Sequence, residues 1–285
     1  MTDGQGMDDG SAQFTSEVKA GARFEFGKNW QRFLGSLDEV RIVEAERSLR
    51  EMLETEDLHG MSFLDVGCGS GLFSLAARRL GARVHSFDYD PDSVACACEL
   101  RRRYFPDDAD WRIETGSVLD TAYLSRLGEF DIVYSWGVLH HTGAMWQALA
   151  NVDPLVRENG RLFIAIYNDQ GWVSIVWRAI KRLYNHLPRR LKPLLLIICF
   201  VPLWGPKTVR DLMQGKLFRT WKNYGSIRGM SPWSDVVDWV GGYPFEVARP
   251  DKIIEFFKAR SYVLQRLITT RRLGCNQFVF AKRPV

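Results

Sequence analysis

The sequence predicts an α/β fold, a doubly wound and largely parallel sheet whose regular order is broken once by a large, mainly helical insertion. Three observations predict it. Residues 62 to 71 read Ser-Phe-Leu-Asp-Val-Gly-Cys-Gly-Ser-Gly, an apolar strand end that runs straight into three closely spaced glycines. Short apolar runs recur at 83–87, 111–114, 131–135 and 161–166, separated by helical periodicities, as buried parallel strands are. That alternation stops after residue 167 and resumes near residue 249. With 285 residues, 46% of them apolar, the chain suffices for one substantial core with an elaboration.

The glycine stretch organises the rest. Gly67, Gly69 and Gly71 turn the chain from strand into helix, since residues without a Cβ accept left-handed dihedrals and let backbone approach a ligand. Leu72, Leu75, Ala76 and Leu80 then repeat on one helical face. The Gly-x-Gly-x-Gly spacing departs from the dinucleotide pattern Gly-x-Gly-x-x-Gly, and no Lys-Ser or Lys-Thr follows as in a Walker loop. The second strand, Arg83 to Phe87, ends at Asp88, where an acid can accept both hydroxyls of a ribose. Asp90, two residues on, competes for that role. Asp65 is a charge inside an apolar strand, suited to holding the loop or to meeting a cationic ligand through water.

Leu64 to Gly71 together with Asp88 resembles the class I S-adenosylmethionine-dependent methyltransferases, whose first strand carries hydrophobic-Asp/Glu-hydrophobic-Gly-x-Gly-x-Gly. The resemblance implies a Rossmann-like seven-stranded methyltransferase sheet and S-adenosyl-L-methionine as cofactor. It implies Asp65, Gly67, Gly69, Gly71 and Asp88 at that cofactor, with Ser117 and Val118 after the third strand and Trp136 after the fourth. Many relatives have an acid near position 117 for the adenine amino group; this chain has Ser117, with Asp120 further on. Within the family the core loosely resembles the ubiquinone-biosynthesis type of O-methyltransferase. The likeness covers about 60–166 and 250–282, with a looser echo in Pro244-Phe245-Glu246.

Taken in order, residues 1–20 are polar, acidic and Gly-rich, and are expected to form a disordered tail. Residues 21–58 form a helical flap. Phe26 and Trp30 within it divide between core packing and substrate contact; in the resembled family such helices close over the methyl-donor pocket. Residues 38–54 are amphipathic, with Ile42, Ala45, Leu49 and Met52 inward. The core comprises 59–167 and 249–285. Pro91 opens a helix through Tyr104. Phe130-Asp131 starts the fourth strand, as in the family, and that strand runs into Trp136-Gly137-Val138-Leu139-His140-His141. Sheet order should reverse there, which makes this loop the cleft mouth. His140 and His141 are candidate bases for a hydroxyl acceptor, with unperturbed pKa values of ~6.5, and equally candidate structural residues. Pro154 breaks the next helix, Gly160 leads into the fifth strand, and a helix at 251–259 precedes a final hairpin, 263–268 and 277–282.

The insertion, 168–248, lies outside the resemblance. Tyr167, Asn168 and Trp172 follow the carboxyl end of the fifth strand and are candidates for the wall of an acceptor site. A helix over 173–187 should turn Val173, Val176, Trp177, Ile180 and Leu183 or Tyr184 to one face, with Arg178, Lys181 and Arg182 pointing elsewhere. Arg189, Arg190 and Lys192 precede the apolar run Leu194 to Val201, closed by Pro202. The run falls short of the ~20 residues of a spanning helix. It suits either a monotopic contact with an anionic membrane surface or a helix buried against the core. Arg228, as an anion anchor, and Glu246, as an acceptor, complete the candidate catalytic residues beside the two histidines; each has a surface-pair alternative.

The net charge of +4 is unevenly spread: residues 168–222 hold eleven Lys or Arg and two acids, a local +9. This raises an RNA methyltransferase as the rival function. Basic residues mixed with a long aliphatic run suit a phosphate backbone poorly, and the Asn/Asp-Pro-Pro-aromatic signature is absent, so nucleic acid is disfavoured. A noncatalytic binding or assembly protein would not need the intact cradle. Five cysteines without a Cys-x-x-Cys pair argue against a disulfide scaffold or a zinc site, and no metal is expected. The N-terminus has no signal-peptide pattern, which predicts the cytoplasm, with peripheral contact at the inner membrane surface as a variant. The expected function is methylation of a small, hydrophobic, lipid-like acceptor, most readily at oxygen.

Overall fold

The computed structural model describes residues 3–35, 37–216, 219–222, 232–271 and 273–284. Its centre is a seven-stranded sheet in the order β3-β2-β1-β4-β5-β7-β6. The strands are β1 (Ser62–Val66), β2 (Arg83–Asp88), β3 (Trp111–Thr115), β4 (Phe130–Trp136), β5 (Val156–Tyr167), β6 (Tyr262–Ile268) and β7 (Cys275–Lys282). The first five pair in parallel; β7 inserts antiparallel between β5 and β6. The order reverses at β1, whose neighbours are β2 and β4, so a crevice opens at the carboxyl ends of those strands.

Strand residues alternate between two apolar layers, as the two-residue period requires. Phe63, Ile132, Phe163 and Val279 face α3 (Glu39–Leu53), α4 (Leu72–Arg79) and α5 (Pro91–Tyr104), meeting Ile42, Leu49, Leu75 and Leu100. Leu64, Val133, Ile164 and Phe280 face the other way, onto Leu149 of α7 (Met145–Val152) and Ile253 and Phe257 of α12 (Pro250–Lys258). Asp38 and Asp90 cap α3 and α5, accepting from Arg41 N and Asp92 N at 3.0 Å each. Asp120 likewise caps the short α6 (Thr121–Leu124).

Three expectations need correction. The stretch expected as a disordered tail carries α1 (Asp3–Lys19), followed by α2 (Gly27–Leu34). Composition alone missed α1 because its anchor is tertiary: Phe14 is buried edge-on against Tyr89, and Glu17 pairs with Arg23 at 2.8 Å. The fifth strand begins at Val156, and its register with β4 shifts where Asn159 adopts a positive φ. The apolar run in the insertion does not stop at Pro202. After α8 (Trp172–His186), helix α9 spans Lys192–Met213, 22 residues, and continues through Pro202 and Pro206. By length and composition it is long and apolar enough to cross a membrane. Both prolines lie inside the helix although each removes a backbone hydrogen bond and crowds the preceding turn.

The short α10 (Arg219–Lys222) and α11 (Pro232–Gly241) complete the described insertion. Trp177, Tyr184, Leu196, Cys199, Trp204, Val236, Val240 and Phe245 give it an apolar core of its own, with Tyr167 of β5 packed against it. The insertion is thereby seated over the carboxyl end of β5.

Candidate active site

The loop after β1 is shaped by contacts that a side chain would block. Gly67, Gly69 and Gly71 have φ of +78°, +53° and +80°. A Cβ on Gly67 would lie 2.3 Å from Val138 Cγ1, and one on Gly71 2.8 Å from Ala97 Cα, where α5 crosses closely. Gly67 N and Cys68 N both donate to Phe87 O, at 2.9 and 3.0 Å, which ties the loop to β2.

The two acids after β2 separate clearly. Asp88 is half-buried; Oδ2 accepts from Gly69 N at 2.9 Å and Oδ1 from Asp90 N at 2.9 Å. Burial raises its pKa to about 6. Asp90 is turned to structural work: Oδ2 accepts from Gly27 N at 2.7 Å while Oδ1 caps α5. Asp65 is buried beneath the loop and accepts from Ser74 Oγ at 2.5 Å. Ser74 accepts from Ser86 at 2.8 Å, and Ser86 from Trp111 Nε1 at 3.0 Å, so one polar chain links β1, α4, β2 and β3. Burial pushes the Asp65 carboxyl up to about 7. Ser117 Oγ accepts from Leu119 N at 3.2 Å, Val118 is buried, and Trp136 stands exposed at the end of β4.

The flap reaches both halves of the crevice. Trp30, half-buried on α2, lies over the glycine loop: its Nε1 would be 3.1 Å from a Cβ on Gly69. The Phe26 ring lies 5.0 Å from that of His141, and Arg23 donates to His141 O at 3.1 Å. Asn29 donates to Asp238 of α11.

The histidines have different settings. His141 Nδ1 is 2.6 Å from Pro244 O. A carbonyl can only accept, so Nδ1 carries the proton and Nε2 presents a lone pair. Burial, with the nearby Lys181 charge, lowers the His141 pKa to about 3. His140 is fully buried; its Nδ1 accepts from Tyr167 N at 3.3 Å and its ring lies 3.9 Å from the Tyr167 ring. It fastens the loop to β5. Glu246 accepts from Met145 N at 2.9 Å, at the start of α7, and its own N–H donates to His140 O at 3.0 Å. Asn168 is held between Thr270 O, 2.9 Å, and Asn276 Nδ2, 3.1 Å. Trp172 is 74% exposed and lies on the outer surface, away from the wall expected of it. Arg228 lies outside the described residues.

Lys181 corrects the sequence reading. It does not point away from the apolar face of α8 but is fully buried on it, aligned with Trp177 and Tyr184. Its Nζ donates to Trp239 O and lies 4.3 Å from the Trp239 ring, 4.8 Å from Phe245 and 5.9 Å from Tyr167. Burial lowers its pKa to about 7 and raises that of Asp238 to about 7. The signal was present in the spacing, since 177, 181 and 184 fall on one helical stripe. The assembled crevice has a glycine cradle with an acid on one side. On the other, His141, Tyr167, Trp239 and Phe245 surround a buried cation.

A family model described as a methyltransferase domain matches residues 64–162. A ubiquinone biosynthesis O-methyltransferase of Xanthomonas oryzae pv. oryzae is 35% identical over 138 residues, 48% of this chain and 53% of that protein. The match thus spans about half the length of such curated relatives. A ribosomal protein L11 methyltransferase of Methylococcus capsulatus is 46% identical over 68 residues, 24% of this chain and 22% of that protein. Among solved structures, the magnesium protoporphyrin IX methyltransferase of Synechocystis PCC 6803 with bound SAH aligns with a TM-score of 0.53 at 13% identity. That alignment covers 90% of this chain and 93% of the other, and shows a shared fold.

Proposed function

Because its core is a class I methyltransferase domain, related to that of the ubiquinone-biosynthesis O-methyltransferases, we propose that this protein transfers the methyl group of S-adenosylmethionine to a small acceptor. The observation that carries the reading is the cradle. Gly67 and Gly71 leave no room for a Cβ, and Asp88 stands at the neighbouring strand end with its carboxylate already oriented by two backbone N–H groups. An acid so placed suits a ribose diol. Bound there, S-adenosylmethionine supplies an electrophilic methyl group on a sulfonium.

The chain's own residues then orient and desolvate. Phe26 and Trp30 of the flap cover the crevice and keep water from it. The ring cluster of Tyr167, Trp239 and Phe245 suits a hydrophobic acceptor. Oxygen is the favoured atom. An acceptor hydroxyl beside His141 can pass its proton to the Nε2 lone pair as its oxygen forms the new bond to carbon and the carbon–sulfur bond breaks. A ring with a pKa near 3 is a weak base. An acidic hydroxyl, such as a phenol or an enol, suits so weak a base.

Titration calorimetry of the full chain with S-adenosylmethionine tests the premise. Saturable binding is expected. Folded protein that binds none at millimolar ligand would overturn the proposal.

A further inference from the structure

We propose that the outer face of α8 and α9 docks this protein on an anionic lipid bilayer, with both helices lying in the plane of the headgroups. Among the described residues, twenty-one large hydrophobic side chains are exposed, and twelve of them fall between Trp172 and Met213. On α9, Leu194 is 58% exposed, Ile198 58% and Val201 64%. Ile175 and Leu183 extend the surface on α8. The opposite faces are already satisfied by Trp177, Tyr184, Leu196, Cys199 and Trp204 in the core of the insertion. Helix α9 thus has a buried apolar face and a second apolar face with water against it, and α8 exposes apolar side chains interleaved with Arg178 and Arg182. A helix in water turns polar residues outward; one that is apolar all round has a second apolar phase beside it.

Charge identifies that phase. Arg182, Arg189 and Arg190 are exposed around the turn between the helices, in a segment with eleven basic residues and two acids. Basic side chains beside an aliphatic face, with Trp172 at its edge, complement acidic headgroups over a hydrocarbon interior. Length alone would let α9 span, but its last turns carry Lys207, Arg210 and Asp211. Asp211 is buried and accepts from Thr220 N and Thr220 Oγ1 at 2.6 and 2.7 Å, contacts a spanning helix would forfeit. Charged groups at membrane depth are costly, so the in-plane arrangement is favoured. The inner face of α8 carries Lys181 against the ring cluster of the crevice, so lipid would lie ~10 Å away, one helix diameter.

The full chain is sedimented with vesicles of phosphatidylcholine alone and of phosphatidylcholine mixed with phosphatidylglycerol, at low and high salt. Binding to the mixed vesicles that weakens with salt is expected. Joint Arg189→Ala and Arg190→Ala substitution should lower it roughly thirtyfold. Ile198→Glu with Val201→Glu should abolish it while the melting curve stays that of the parent, because both side chains are exposed. Binding to neither vesicle would overturn the proposal, as would undiminished binding by the glutamate variant. Light scattering adds one more decisive outcome: a stable dimer dissociated by the glutamate pair would show that a second copy, not lipid, covers this face.

Discussion

Asp88 and Asp90 are separated by one residue and differ in what their oxygens hold. Asp88 orients Gly69 and remains half-buried at the crevice; Asp90 clamps Gly27 and caps α5. Asp88→Ala should therefore weaken S-adenosylmethionine binding by about 10- to 100-fold, the worth of a charge-assisted hydrogen bond at ~1.5–3 kcal/mol. Asp90→Ala should chiefly cost stability, ~1 kcal/mol for the lost cap. Calorimetry and thermal melts of both variants check the division, and equal losses of affinity would refute it. The role suggested for Asp88 was legible because it rests on a strand end and a spacing. Lys181 was legible only as a position on the stripe of 177 and 184; that a charged side chain stays buried there was not. Its burial depends on Trp239 and Phe245, which arrive nearly sixty residues later in the chain and supply a carbonyl and two ring faces. Without them the same lysine reads as an outward charge.

Among the elements, α2 bridges the two halves of the crevice. It touches the glycine loop through Trp30, the acceptor side through Phe26, and α11 through Asn29. It can do so because Gly27 lies flat on the start of α5: a Cβ there would be 2.4 Å from Asp92 Cβ and 2.8 Å from Ser93 N. Gly27→Ala should lift the flap without disturbing the sheet. Hydrogen exchange is expected to speed up over residues 21–34 and remain unchanged in β1 and β4; an unchanged flap would show that α2 is held elsewhere. The strands, apart from the start of β5, together with α3, α5 and the position of the insertion, were readable from period and punctuation. The helix α1 and the full length of α9 were not. One is fixed by a distant tyrosine, and the other runs through two prolines that local propensity takes as a stop.

For the whole molecule, the polar chain from Asp65 to Trp111 crosses three strands and a helix inside the core, so its protonation bears on global stability. Burial raises the Asp65 pKa from 3.8 to about 7. Between those values the folded protein binds more protons than the unfolded chain. The stabilising contribution is complete below pH ~4 and is lost as pH rises through about 7. His140 and His141 act in the opposite sense, because burial lowers their pKa values and the unfolded chain takes up protons first as pH falls. The wild-type curve therefore mixes opposing slopes, and the difference from a single variant isolates the aspartate. Asp65→Asn keeps an oxygen for Ser74 and removes the titration. Its stability relative to wild type should improve by up to a few kcal/mol as pH rises from about 4 to 7 and then level off. Urea midpoints of both proteins across that range measure it. A constant difference between the two would mean that Asp65 stays charged in the folded core, with Ser74 sufficing to hold its carboxylate.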